Sequence, residues 1–366
     1  MPTAPGMTRI DRGAIAGVLL SLGAAATFGV LTPAAKGALA HVDPVRGAAL
    51  AYLAAGTVAL ATHLLRSAAA FGSLGRTPQG RDIPRLLGLT VFGGMVGPAL
   101  YFAGVARIAA HRAAVVQHLE YVLTIVAAVL VLGERPGRKG FIGLALVGAG
   151  VLALSIVGER GGFGGEPLSA SGLALIVAAC AAWAVDNTLA RGASDLDPLV
   201  VVSIKGLGAG GVLALASAGS AWPSDGRAWA LLLLSGGVGV GVSLLLELLA
   251  LRKIGAATNA GLFATGPAFG FVWSVVFLGE RSGAGEWGAL ALCAAGAVAL
   301  AVDRHAHAHE HRALRHTHPH RHDDGHHDHA HDPGFDPTLE HVHEHLHQAV
   351  RHSHPHVHDE HHRHRH

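Results

Sequence analysis

Four side chains at helical spacing mark where this chain could do chemistry. Gln117, Glu120, Tyr121 and Thr124 stand at i, i+3, i+4 and i+7 of an apolar run, so a helix there carries all four on one face. A carboxylate in a lipid-embedded helix costs roughly 2.5–3.5 kcal/mol at the centre on insertion scales. Such a stripe must therefore face protein or water rather than acyl chains. Glu120 there suits the binding of a cationic group, or the carriage of a proton, because its charge would respond to whatever fills the space beside it. The plainer alternative makes Glu120 a structural partner of Lys205.

The other candidates lie further along. Asp186 and Asn187 are adjacent in one apolar run, and Ser243 and Glu247 share a helical face four residues apart in another. Glu247 lies about a turn from Arg252 and Lys253, so a snorkelling or salt-bridged boundary residue is its alternative reading. Lys205 reads as the counter-ion of these carboxylates, with an anion site as the alternative. His118 is rotated about 200° from Glu120 and belongs to another face, as a buried hydrogen-bonded ring or a proton relay. His41, His63 and His111 lie at the edges of runs and carry little signal.

The elements that must hold these residues are membrane helices. Mean hydropathy is +0.41, with 51% apolar and 14% charged residues, the composition of a chain solvated by lipid over most of its length. Apolar runs near 13–34, 45–65, 85–106, 113–132, 139–157, 169–190, 198–218, 228–251, 257–278 and 284–302 are each close to the ~20 residues that cross a hydrocarbon core. The first is expected to stay as a helix rather than be removed as a signal peptide. Residues 131–154 and 277–300, aligned on Leu-Gly-Glu-Arg, share 12 of 24 residues, and Asp43-Pro44 is repeated at Asp197-Pro198. Each Asp-Pro supplies a capping carboxylate and a first-turn proline. The chain therefore reads as an N-terminal stretch (1–12), a five-helix repeat (13–157), a linker (158–168), a second repeat (169–302) and a tail (303–366). An odd number of spans per repeat inverts the second relative to the first. Connections on the N-terminal side carry thirteen Lys and Arg against seven on the other, which predicts a multi-pass protein of the cell (inner) membrane with both termini cytoplasmic.

With these features the chain resembles the drug/metabolite transporter superfamily, specifically EamA-type carriers of two five-helix repeats. The residues that carry the resemblance are the paired LGER turns, the Gly-rich helices that follow them, and an aromatic residue followed by Lys or Arg in helices one and six (Phe28 with Lys36, Trp183 with Arg191). It covers about residues 13–302. The first half departs from it with Phe28-Gly29 and with Glu120-Tyr121, where the second half keeps Gly266-Pro267. The resemblance implies export or import of a small organic solute by a protein that is not an enzyme.

Pro33, Pro98 and Pro267, with Gly93, Gly94, Gly97 and Gly266, are expected to interrupt helices and act as hinges. Gly143, Gly148, Gly150, Gly288 and Gly296 suit close helix packing, within the fold or between the protomers of a homodimer. Glu134 and Glu280 read as structural ion pairs or latches at helix ends. Cys180 and Cys293 are expected to be small packing residues. No nucleotide-binding loop of the GxxxxGK type occurs, so a proton or solute gradient is the expected energy source; no cofactor is required and no nucleic-acid partner is expected.

The tail holds 24 of the 28 histidines and no apolar pattern from which a core could form, so it is expected to be disordered. Its alternating His305, His307, His309, His311, His316, His318, His320, His322, His326, His327, His329, His331, His341, His343, His345, His347, His352, His354, His356 and His358 offer imidazoles to Zn²⁺, Ni²⁺, Co²⁺ or Cu²⁺. The rival readings of the whole chain are a transition-metal carrier that uses this tail and a membrane metal sensor that transports nothing.

Overall fold

Ten apolar helices build the body of the protein among the described residues, and several begin or bend where a particular residue makes them do so. The computed structural model describes residues 12–69, 74–132, 137–159, 168–301, 305–311, 314–320, 341–347 and 350–356. The helices are α1 (Ile15–Ala38), α2 (Pro44–Ala68), α3 (Gly80–Arg107), α4 (Ala110–Val131), α5 (Arg138–Ile156), α6 (Ala170–Arg191), α7 (Pro198–Ala216), α8 (Gly226–Leu251), α9 (Thr258–Leu278) and α10 (Ala284–Leu300). Among the described residues nine are long and apolar enough to cross a membrane, and α10 is a shorter apolar helix. Both expected caps form: the Asp43 carboxylate accepts from the N–H groups of Val45 and Arg46 at 3.0 and 3.1 Å, and that of Asp197 from Leu199 at 2.9 Å.

Helix breaks follow the prolines. Proline removes an N–H donor and strands the carbonyl four residues back. Helix α1 breaks at Val30 before Pro33, and α9 at Ala264 and Thr265 before Pro267. Helix α3 widens into π-helical turns over Thr90–Val96 just before Pro98. Helix α8 widens likewise over Leu234–Val242, where glycines replace the proline; Gly236 lies so close to the Ala51 carbonyl that a Cβ there would overlap it. Such widened turns are frequent at functional sites, and these two occupy corresponding helices of the two halves.

The halves interlock through an approximate two-fold relation. Helices α5 and α10 run antiparallel: a Cβ on Gly143 would meet the Gly296 carbonyl at 2.7 Å, and one on Gly150 the Ala289 carbonyl at 2.8 Å. In the repeat alignment Gly143 corresponds to Ala289 and Gly150 to Gly296, so the contact maps onto itself when the halves are exchanged. Helices α2 and α7 pair in the same sense through Gly56 and Gly206. Self-complementary antiparallel pairing is what inverted repeats require. Gly143, Gly150 and Gly296 thus serve packing within the chain, whereas Gly148 and Gly288 face open space. Cys180 and Cys293 are free and buried, as expected.

The tail holds the remaining described residues. Its strands β1 (His305–His311), β2 (Leu314–His320), β3 (His341–His347) and β4 (Val350–His356) form two antiparallel pairs, β1 with β4 and β2 with β3. The helical and tail units are distinct. Histidines 322, 326, 327, 329, 331 and 358 lie outside the described residues, as does the first LGER from Gly133 onward.

Candidate functional site

Helix α4 carries the polar stripe to a junction with α6, a helix of the other half. The carboxylate of Glu120 accepts from Asn187 Nδ2 at 3.1 Å, and the same amide nitrogen donates to Thr124 Oγ1 at 3.2 Å. Glu120 and Thr124 are four residues apart, so one helical turn presents both oxygens to one amide. Glu120, Tyr121, Thr124 and Asn187 are each partly accessible, although they lie within membrane helices and bond across the halves.

The other stripe residue turns to a different partner. Gln117 is buried, and its Oε1 accepts from the Tyr101 hydroxyl at 2.9 Å, which in turn meets Thr32 Oγ1 at 2.7 Å. This chain links α4, α3 and α1 beside the Glu120 centre. The Gln117 side-chain nitrogen is buried with no hydrogen-bond partner among the described residues.

Asp186 and Lys205 form a direct ion pair between α6 and α7. Lys205 therefore takes Asp186, one of the three expected carboxylates, as its salt-bridge partner, and Glu120 is held by an amide. Asp186 packs against Gly93 so closely that any side chain at that position would overlap it. The Gly93 carbonyl, in the widened part of α3, accepts from the Tyr52 hydroxyl at 3.1 Å and from Trp183 Nε1 at 3.3 Å. The widened turns thus deliver a carbonyl and a bare backbone to the same junction. Glu247, on α8, is partly accessible.

Two candidates bond to backbone carbonyls away from the Glu120 centre. Ser243 is buried and donates to the Ala24 carbonyl at 2.9 Å, tying α8 to α1. His118 is fully buried at the interruption between the two parts of α4, with its Nδ1 against the Ala114 and Val115 carbonyls at 3.2 and 3.1 Å. That is the hydrogen-bonded-ring reading. Lys36 donates to the Val105 and Ile108 carbonyls at 2.9 and 2.8 Å, the C-terminal end of α3, where a cation complements the helix dipole.

Sequence reasoning passed over His111, which the structure places in a second cluster at one end of the bundle. Glu280 of the second LGER reaches across to the first half: its carboxylate accepts from the N–H groups of Ala110 and His111 at 2.7 and 2.8 Å and meets His111 Nδ1 at 2.7 Å. Glu286 of α10 accepts from Arg112 Nε at 2.8 Å and faces His111 Nε2 at 3.3 Å. The repeated glutamate is thus an N-cap for a helix of the opposite repeat, a clamp across the two halves. Aligning the repeats yields the only signal for it: His111, Arg112 and Glu286 correspond to Ala257, Thr258 and Gly140, so the ionic version belongs to one end. At the other end Arg76 is bonded to Asp82 and Asp195, joining the α2–α3 connection to the α6–α7 connection.

Among the described residues, no group of three or more His, Cys, Asp or Glu is arranged to hold a metal ion.

The family model described as "EamA-like transporter family" matches residues 15–156 and 170–302, one match for each half. An uncharacterized transporter of Methanothermobacter thermautotrophicus is 24% identical over 268 residues, covering 69% of this chain and 76% of that protein. A crystal structure covering 78% of this chain and 97% of its own superposes with a TM-score of 0.56 at 22% identity, a likeness of fold alone.

Proposed function

The chain belongs to the EamA-like transporter family, and from that premise we propose that it is a secondary carrier that moves a small organic solute with a cationic group by alternating access about the Glu120 centre. The observation that carries this reading is the bond from Asn187 to Glu120, because it spans the two inverted halves. With Lys205 engaged by Asp186, Glu120 has the Asn187 amide as its partner across the halves. A solute ammonium or a proton arriving at Glu120 competes with the Asn187 amide, and its arrival loosens one of the bonds that hold α4 to α6. Binding is thereby coupled to the relative position of the halves, which is the differential interaction that any ligand-driven conformational change requires.

The Glu280 clamp supports the same reading as the closure of one end. Opening that end requires the carboxylate to leave the first turn of α4, while the bonds around Arg76 bear on the opposite end. The energy source is a proton or solute gradient, and the membrane is the cell membrane with both termini on its cytoplasmic side.

Purified protein in proteoliposomes, tested with a panel of amines, amino acids, nucleosides and sugars, examines the proposal. The expected outcome is saturable uptake of an amine that Glu120→Gln abolishes without preventing membrane insertion. Equal uptake by the variant would remove Glu120 from the transport path.

A further inference from the structure

Both ring nitrogens of the buried His111 face carboxylates: Nδ1 meets Glu280 Oε2 at 2.7 Å, and Nε2 meets Glu286 Oε1 at 3.3 Å. A carboxylate only accepts hydrogen bonds, and a neutral imidazole has one nitrogen that donates and one that accepts. In either tautomer a neutral ring would set a lone pair against a carboxylate oxygen on one side. Only the imidazolium donates in both directions.

The proton belongs to the ring rather than to a carboxyl group. Glu280 Oε1 accepts from the Ala110 N–H at 2.7 Å and its Oε2 from the His111 N–H at 2.8 Å. Glu286 Oε1 accepts from Arg112 Nε at 2.8 Å and its Oε2 from the Gly283 N–H at 2.9 Å. All four oxygens thus face N–H donors, one of which a protonated carboxyl would give up.

The count of charges agrees. Among the described residues, the charged groups at the ring are Glu280 from the α9–α10 connection, Glu286 from α10 and Arg112 from α4 itself. Helix α9 presents Phe271, whose ring meets the imidazole edge-on at 5.3 Å. Lys36 of α1 donates to the Val105 and Ile108 carbonyls at the adjoining end of α3. Two carboxylates and one guanidinium leave the cluster one negative charge in excess, and an imidazolium cancels it. An unmatched buried charge is costly, so closing the cluster and protonating the ring go together.

We infer that His111 is a proton site built into the closure of this end: the ring takes up one proton from the adjoining water as Glu280 and Glu286 close on it, and returns the proton when they part. Uptake and release occur on one side of the membrane, so the proton regulates opening and carries no charge across. Alkaline water on that side favours the open end. Acid favours the closed one, down to the range in which Glu280 itself takes a proton. The inference rests on the Glu280 clamp as the closure of this end and not on the identity of the solute.

Amide hydrogen exchange reads the clamp directly, because the Ala110 and His111 N–H groups are those that Glu280 covers. Exchange of the full chain in detergent, corrected for the intrinsic rate at each pH, gives their protection between about pH 6 and pH 9. One proton per closure predicts protection that falls as pH rises, approaching about tenfold per pH unit. His111→Gln should show low protection that does not change with pH, although the tail histidines are all still present. Constant protection in the parent across this range would overturn the inference, whether or not the variant folds. An equally steep fall in His111→Gln would do the same. A parent with the predicted profile that transported no amine would contradict the carrier reading and leave the proton site standing.

Discussion

Lys205 pairs with Asp186, which leaves Glu120 with an amide as its direct partner. Glu120→Gln keeps a side chain able to bond Asn187 but cannot ionise, so we expect uptake to fall at least about tenfold while the melting temperature stays close to that of the parent. Removing one member of the Asp186–Lys205 pair strands the other charge inside the bundle. Lys205→Met should cost on the order of 3 kcal/mol, and adding Asp186→Asn should restore most of it; equal unfolding midpoints for single and double variants would show that the pair is not coupled. Sequence alone placed Glu120 and Thr124 on one face, because periodicity fixes that. It left open which carboxylate Lys205 would choose, because the choice depends on how α6 and α7 pack rather than on spacing.

Glu280 adds a pH dependence at the same scale. Burial by itself would raise its carboxyl, but the His111 ring and the backbone N–H groups of His111 and Ala110 outweigh burial and hold it below the ordinary value. The folded value thus lies under the unfolded one. The clamp's contribution is complete above the unfolded value, about pH 4.3, and is lost as pH falls through the folded one. Melting temperature should therefore drop on acidification through this range. Glu280→Gln should melt lower at neutral pH and show a flatter acid dependence.

Helix packing makes its own demand of particular glycines. Gly150 lies against the Ala289 carbonyl and the Cys293 sulfur, whereas Gly148 faces open space two residues away. Gly150→Leu should destabilise the α5–α10 pair by about 1–3 kcal/mol, and Gly148→Ala should be neutral or slightly stabilising, since alanine favours helix. Unfolding midpoints in detergent distinguish the two. The small residues of α5 and α10 were legible in the sequence, but which of them touch was not, because helical phase within a Gly-rich run is set by the partner. The prolines marked helix breaks at Val30, Thr90–Val96 and Ala264. The matching break in α8 has no proline, and only its glycines and the structure disclose it.

At the scale of the whole molecule, the repeat of LGER and of Asp-Pro made two five-helix halves readable before any coordinates, because duplicated elements keep duplicated caps. The clamp between halves escaped notice for the complementary reason: Glu280 caps a helix of the other repeat, and alignment within one repeat cannot show a contact between two.

The central claim is that solute reaches the Glu120 centre from each side of the membrane in turn, and accessibility of Thr124 tests it most directly. In a variant free of Cys180 and Cys293, Thr124→Cys would be challenged with a membrane-impermeant thiol reagent applied separately to each face of oriented vesicles. Labelling from both faces, with transported solute shifting the balance between them, is the predicted result. Labelling from neither face, under conditions in which control cysteines at both rims react, would contradict the account.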